Sequence, residues 1–363
     1  MKIECITEKL LAAVSKASRC VAKGSEVKTL EALYLSAEGD LLTIRATNLE
    51  IGIQIAIQAK IERPGEVLVP TQLFLQFLST VQSKKTVTLE LVEGTILVSA
   101  PGVATKIKAI AGDETPTVPQ IESEFEFTLP SEKLLQGLRA VWWSAATTGI
   151  KPELSSVYIS AQQDTLVFAA TDSFRLAEKR MQISGLPEFG HILLPYKNAM
   201  ELAKVLEGLD KIDILITKNN LAIRTESLYF LSRLVEGTFP NYNAIIPKEK
   251  KTTLVILKQD FLEALRSSTI FSDRFYQLQF MVTKDTVTIE TKSADTGESS
   301  VQLPAVVEGE PLEIRFNYRY IIDCLQNIST DSVSCDLNGP GKPMVIRSVG
   351  ETGFLYLVMP MNR

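Results

Sequence analysis

The chain has one histidine in 363 residues, four cysteines and no long apolar run, and each scarcity removes a class of function. His191 stands at the start of a predicted strand in Gly190-His191-Ile192-Leu193-Leu194, where a lone imidazole is far more often structural or solvated than catalytic. Without it no Ser-His-Asp arrangement can be drawn, and only carboxylate acid-base chemistry stays formally open. Cys5, Cys20, Cys324 and Cys335 form no C-x-x-C pair and no dense cluster, which argues for free thiols in a reducing compartment and against zinc or a disulfide framework. Neither a G-x-x-x-x-G-K-[ST] loop nor a G-x-G-x-x-G turn occurs, so nucleotide binding has no support. No stretch approaches the roughly 18 apolar residues of a membrane span, and Met1-Lys2-Ile3-Glu4-Cys5 places an acid where a secretory leader has its apolar run. These absences lead us to expect a cytoplasmic protein with no cofactor, no metal, no membrane partner and no catalytic site.

Apolar residues make up 45% and charged residues 22%, the balance of a folded chain without a long disordered tail. One hydrophobic core rarely grows past about 250 to 300 residues, so two or three domains are expected. The net charge of −5 argues mildly against a conventional nucleic-acid binder unless the charges are unevenly placed.

A repeat is visible by eye. Thr7-Glu8-Lys9-Leu10-Leu11-Ala12-Ala13-Val14 opens an amphipathic helix, Ser131-Glu132-Lys133-Leu134-Leu135 echoes it, and Gln259-Asp260-Phe261-Leu262-Glu263 is a third copy; Leu10, Leu134 and Leu262 lie 124 and 128 residues apart. A strand running into a second helix recurs as Val67-Leu68-Val69-Pro70-Thr71, Ile192-Leu193-Leu194-Pro195-Tyr196 and Glu313-Ile314-Arg315-Phe316-Asn317. Pro is read at the helix start, and Asn317 as a capping residue. Ala46-Thr47-Asn48-Leu49 and Ala170-Thr171-Asp172-Ser173 are again 124 apart. Alternating β-branched runs such as Val87–Leu91, Thr95–Val98 and Thr286–Glu290 predict strands joined by tight turns, while Ile212–Thr217 alternates less cleanly. The expected architecture is α+β: three tandem domains at 1–121, 122–247 and 248–363, each with two helices among antiparallel sheets. The Pro-bearing stretches Thr115–Pro119 and Ile246–Lys251 are the expected linkers.

The first helix, expected over Thr7 to Val21, buries Leu10, Val14, Ala17 and Val21 on one face. Lys9, Lys16 and Lys23 recur at steps of seven on another, with Arg19 beside them. Over the six predicted helix segments Lys and Arg exceed Asp and Glu by five, so a chain of net −5 carries −10 elsewhere. Basic helices on an otherwise acidic chain suit phosphate contact without sequence preference, whereas an isolated charged helix face is usually just solvated. Trp142-Trp143 reads as core packing in preference to base stacking, because neighbouring helical residues point about 100° apart.

The threefold repeat, with Ala170-Thr171-Asp172-Ser173-Phe174-Arg175-Leu176-Ala177, Phe239-Pro240-Asn241-Tyr242 and the terminal Val358-Met359-Pro360-Met361, resembles the bacterial DNA sliding clamps, the β subunits of DNA polymerase III, over the whole chain. The resemblance implies a homodimeric ring of six domains with twelve helices lining a channel around duplex DNA. It also implies placement on DNA by an ATP-driven clamp loader, and a groove between the second and third domains that takes peptides from polymerase III and other clamp-binding proteins. The matching groove residues are Leu154, Thr171, Ser173, Phe174, Arg175, Leu176, Pro240, Ile245, Val358, Met359, Pro360 and Met361. Candidate DNA-facing cations are Lys9, Lys16, Arg19, Lys23, Lys133 and Arg139. For head-to-tail closure, Lys106 and Lys108 alternate along an edge-like strand, Glu298 and Asp295 are acidic partners, and Ile270 with Phe271 are apolar contacts implied by the resemblance. Two departures stand out: Ser173-Phe174 occupies positions where the family commonly has Gly-His, and Pro152-Glu153 replaces an aromatic pair that touches DNA in some members. The competing expectation is a three-domain enzyme or ligand-binding protein with an inter-domain site, which would specialise one repeat around reactive side chains.

Overall fold

The computed structural model describes residues 1–112, 116–294 and 297–361; Thr115 of the first expected linker, Asp295 and the Asn362–Arg363 end lie outside them. Among the described residues one motif, a strand running into a helix followed by a meander of three strands, occurs six times. Motif one is β1 (Lys2–Ile6), α1 (Thr7–Ala17), β2 (Ala32–Glu38), β3 (Leu41–Thr47) and β4 (Ile51–Gln58), with a short β5 (Lys60–Arg63) after it. Motif two is β6 (Gly65–Pro70), α2 (Thr71–Thr80), β7 (Thr86–Val92), β8 (Thr95–Ala100) and β9 (Val103–Lys108). Motif three is β10 (Phe125–Pro130), α3 (Ser131–Val141), β11 (Ser156–Gln162), β12 (Thr165–Thr171) and β13 (Arg175–Gln182). Motif four is β14 (Phe189–Pro195), α4 (Tyr196–Leu206), β15 (Lys211–Ile216), β16 (Asn220–Arg224) and β17 (Leu228–Arg233). Motif five is β18 (Thr252–Leu257), α5 (Lys258–Thr269), β19 (Gln277–Val282), β20 (Val287–Ser293) and β21 (Gly297–Leu303), again with a short strand after it, β22 (Val306–Gly309). Motif six is β23 (Leu312–Asn317), α6 (Tyr318–Asn327), β24 (Ser332–Leu337), β25 (Met344–Ser348) and β26 (Phe354–Val358).

The chain forms two compact units, Met1–Leu135 with Lys197–Leu234, and Gln136–Tyr196 with Val235–Arg363. Each holds one long sheet and one short one. In the first the orders are β10-β15-β16-β17-β4-β3-β2-β6 and β5-β1-β7-β8-β9; in the second, β14-β11-β12-β13-β26-β25-β24-β18-β22 and β21-β20-β19-β23. This grouping cuts through the middle third of the sequence because β17 hydrogen-bonds β4, with Phe230 opposite Ile53, and β13 hydrogen-bonds β26, with Ala177 opposite Tyr356. Continuous backbone ladders join sequence repeats more tightly than the linkers separate them.

Inward faces pack as the alternation requires. α1 buries Leu10, Ala13, Val14 and Ala17, and α5 buries Phe261, Leu262, Ala264 and Leu265. Phe261, Phe280 and Phe316 meet edge to face at 5.9 Å centroid separations, the favoured aromatic geometry. β15 alternates poorly because Ile214, Leu215 and Ile216 are all buried. Its second face is covered by the segment around Val118 and Ile121, which packs with Leu215, Ala222, Tyr229 and Leu231.

Several expectations need correction. α1 ends at Ala17, so Val21 is buried beyond the helix, and Lys23 does not continue a step of seven along it. Pro70 and Pro195 end strands and precede the helices, so neither is a first helical residue; Asn317 does cap α6, accepting from the Arg319 amide at 3.0 Å. Trp142 and Trp143 lie in a separate 3-10 turn, Trp142–Ser144, after α3 has ended.

Gly137 of α3 sits where an added Cβ would come within 2.3 Å of the Phe168 ring, and that ring is fully buried. Gly137→Ala adds helix propensity of about 1 kcal/mol but overpacks a rigid contact at about 1–3 kcal/mol. Thermal or urea unfolding of Gly137→Ala is therefore expected to show a net loss of up to about 2 kcal/mol; higher stability than the parent would refute the contact.

Candidate functional site

The β12–β13 turn is built from its own side chains. The Thr171 hydroxyl donates to the Arg175 carbonyl (2.6 Å) and accepts from the Ser173 amide (3.2 Å), while Asp172 Oδ1 accepts from the amides of Phe174 (2.9 Å) and Arg175 (3.0 Å). This holds Ser173 at φ 80° and turns the Phe174 ring outward, 60% exposed. The β3–β4 turn repeats the arrangement: Thr47 bonds the Ile51 carbonyl and the Leu49 amide, Asn48 accepts from Glu50 and Ile51, and Leu49 has φ 75°.

Arg175 sits behind this turn with its donors engaged. Nε bonds Asp172 (2.9 Å), one terminal nitrogen bonds Asp323, and the other donates to the Trp143 carbonyl (2.8 Å). Its guanidinium lies 4.7 Å from the Tyr320 ring centroid and 5.9 Å from that of Trp143. Trp143 in turn packs 5.2 Å from Tyr356, whose hydroxyl bonds the Tyr320 carbonyl at 2.9 Å. Arg175 is therefore a support for the site, with little left to offer an incoming anion. Trp143 reads from the sequence only as core, and no pattern there marks Tyr320 or Asp323.

The chain end runs along the same place. Val358 pairs with Arg175 in the β13–β26 ladder, the Met359 amide donates to the Phe174 carbonyl (2.8 Å) and the Met361 amide to the Arg315 carbonyl (2.8 Å). A cavity of about 260 Å³ lies beside it, lined by Ile314, Arg315, Pro340, Gly341, Pro360 and Met361. Pro240 and Ile245 flank Tyr242, whose ring packs with Phe239, Leu176 and Leu357 and against Met359. The Tyr242 hydroxyl donates to Glu178 (2.6 Å), a buried carboxylate also bonded twice by Arg180 (2.9 and 2.8 Å). Burial, reinforced by Glu178, holds the Tyr242 phenol protonated far above the usual range. Of the twelve groove residues, Leu154, Thr171, Leu176 and Val358 are closed into the interior. Ser173, Phe174, Pro240 and Ile245 are exposed, and Arg175, Met359, Pro360 and Met361 are half-buried.

The helix cations divide likewise. Lys9, Lys23, Lys133 and Arg139 are exposed. The Lys16 ammonium instead donates to the Val205 (2.7 Å) and Glu207 (2.9 Å) carbonyls, capping the negative end of α4, and burial lowers its pKa. Arg19 lies 3.8 Å from Glu201 on the same helix. These two expected DNA-facing cations tie α1 to α4, a use that their spacing did not reveal.

At the sheet edges, β9 exposes Lys106 and Lys108 on one side of buried Ile107. On β21, Glu298 is exposed beside Lys292 (3.4 Å). Ile270, at the end of α5, is 71% exposed, and the half-buried Phe271 lies beside Gly297 of β21. His191 is exposed and stacked 5.4 Å from Tyr158. All four cysteines are buried and free, and burial pushes the Cys5 thiol up to about 12. Among the described residues no group of His, Cys, Asp or Glu is placed to hold a metal, and no helix is long and apolar enough to cross a membrane.

Six strand-helix-meander motifs, sheets continuous between repeats and a surface apolar site at the chain end define the class: a three-domain clamp fold. Comparison agrees. The DNA polymerase III beta subunit matches as N-terminal domain over residues 1–119, central domain over 128–241 and C-terminal domain over 243–362. The Beta sliding clamp of Synechococcus elongatus is 28% identical over 100% of this chain and 99% of its own, and that of Bacillus subtilis 24% over 100% of both. The DNA polymerase III beta subunit of Thermotoga maritima superposes with a TM-score of 0.95 at 25% identity, covering 100% of this chain and 99% of that one. The chain belongs to the DNA polymerase III β subunit family, the bacterial DNA sliding clamps.

Arg175→Ala strands Asp172 and the Trp143 carbonyl and should cost about 3–4 kcal/mol of stability. Arg175→Lys cannot reproduce three directed bonds and should recover less than half of that. Urea midpoints of the two variants against the parent measure both; full recovery by Lys would show that charge alone matters.

Proposed function

We propose that two copies of this chain close head to tail into a six-domain ring around duplex DNA, a non-catalytic processivity factor that a clamp loader places on DNA. The observation that carries this is a pairing rule. The last meander strand of motif four pairs with that of motif one, β17 with β4, and motif six pairs with motif three, β26 with β13. Motif five should pair with motif two in the same way, yet among the described residues β21 and β9 each have one neighbour and one open edge. A second copy supplies both missing partners, and the new sheet of five and four strands would match the nine-stranded sheet already present. Lys106 and Lys108 then meet the edge bearing Glu298, with Ile270 and Phe271 beside it. Three domains at 1–121, 122–247 and 248–363 remain the natural sequence division.

The exposed cations Lys9, Lys23, Lys133 and Arg139 would meet backbone phosphates weakly and without sequence preference. The surface formed by Phe174, Pro240, Ile245, Met359 and Met361 would take an apolar peptide from polymerase III or another clamp-binding protein. Thioethers repack around varied ligands, and Phe174 in place of an imidazole makes the entrance more apolar.

Two outcomes test the reading. Charge reversal at both Lys106 and Lys108 acts at two interfaces per ring and should raise the dimer dissociation constant at least about tenfold, measured by sedimentation at falling concentration; an unchanged constant would refute the edge assignment. On nicked circular DNA, loaded with a clamp loader and ATP, the protein should persist at moderate salt and leave rapidly once the circle is cut. Equal retention on cut and uncut DNA would mean surface binding and would overturn encirclement.

A further inference from the structure

The loop between α5 and β19 and the first turn of α6 bring together five side chains that neither the groove nor the open edges use. Phe275 is 55% exposed, and the Arg274 guanidinium carbon lies 4.9 Å from its ring centroid. The Arg319 guanidinium carbon lies 3.4 Å from the centroid of Tyr276, a distance reachable only over the ring face. Tyr318 meets Tyr276 edge-on at 5.8 Å and 87°. Neither Arg274 nor Arg319 has a carboxylate partner among the described residues: neighbouring Asp273 accepts from the Phe275 (2.9 Å) and Gln277 (3.2 Å) amides, and Asp323 is engaged by Arg175.

Tyr276 has φ 60°, a conformation in which a bulky side chain is a true outlier and glycine would be the undemanding choice. The turn is nonetheless held, with the Tyr276 amide bonded to the Asp273 carbonyl (3.1 Å) and its carbonyl accepting from the Tyr318 amide (2.9 Å). A loop needed only to reverse the chain gains nothing from an aromatic ring there, and such strain commonly marks a working site.

We propose that Phe275, Tyr276, Arg274 and Arg319 form a stacking platform for one or two bases of single-stranded nucleic acid. The exposed Phe275 ring, the half-buried Tyr276 ring and the flat guanidinium groups accept any base by stacking, and positive charges with no carboxylate partner among the described residues attract the strand's phosphates. The platform stands at the ends of β19 and β23, with β20 between it and the β21 edge, on the loop that follows Ile270 and Phe271, the apolar residues expected where two chains join. It extends the reading above, since sequence-blind encirclement of duplex needs no aromatic contact.

Fluorescence anisotropy with a labelled oligothymidylate of about twelve nucleotides tests it on the full chain. Phe275→Ala should weaken binding about five- to hundredfold while dimer mass and Tm stay at parental values. Tyr276→Gly should keep or raise Tm, because it relieves the backbone, and still weaken binding, a combination that a merely structural ring would not give. An abasic oligomer of the same length should bind far more weakly than oligothymidylate. The proposal is overturned if Phe275→Ala binds within twofold of the parent, if the abasic strand or polyglutamate binds as well as oligothymidylate, or if Phe275→Ala lowers the dimer mass, which would place the ring in a protein interface.

Discussion

Each meander ends in a strand whose outer backbone groups have no partner inside their own motif, and satisfying those groups organises the rest of the structure. Unpaired amides and carbonyls on a flat edge invite another strand, and in two of three cases the chain provides one from a motif three places further along. In the third case β9 and β21 end their sheets among the described residues, the edges proposed above to take a second molecule. One constraint thus explains why a repeat of about 124 residues in sequence becomes two compact units.

The linkers gain a second task from the same geometry. Where a sheet crosses a repeat boundary, the connecting segment packs on one of its faces. Val118 and Ile121 lie over Leu215 and Leu231, with the Tyr229 hydroxyl bonded to the linker at the Ile121 amide and the Pro119 carbonyl. Phe239 and Tyr242 lie over Leu176, Leu193 and Leu357, and Tyr242 is fixed to Glu178. A buried hydroxyl satisfied in each case anchors an otherwise irregular segment. In the second case this presents Pro240 and Ile245 beside the chain end, so the same packing that seals the sheet shapes the surface proposed above to take a peptide.

The β12–β13 turn also shows how support and exposure divide among neighbours. Thr171 and Asp172 spend their polar atoms on the turn, Arg175 spends its donors on Asp172, Asp323 and Trp143, and the turn is left to expose Phe174. Lys16 and Arg19 repeat the lesson on α1, where cations that look available on a helical wheel are engaged by the end and flank of α4. Charge counted along a sequence overstates charge offered to solvent whenever a helix terminus or a carboxylate lies within reach.

The α+β class, the threefold repeat, the helix starts, the Asn317 cap and the alternating strands were legible in the sequence, because each depends on contacts within a few residues or on the period-two and period-3.6 patterns that burial imposes. The groove residues and the closing edges were expected from the resemblance alone, since those motifs are short and lie far apart. Only the tertiary structure decided where α1 stops, that Lys16 caps another helix 189 residues away, that Arg175 sits between Trp143 and Tyr320, and that β15 is buried on both faces. These depend on which segments meet after the sheets form. Periodicity records whether a residue is buried; it does not record what buries it.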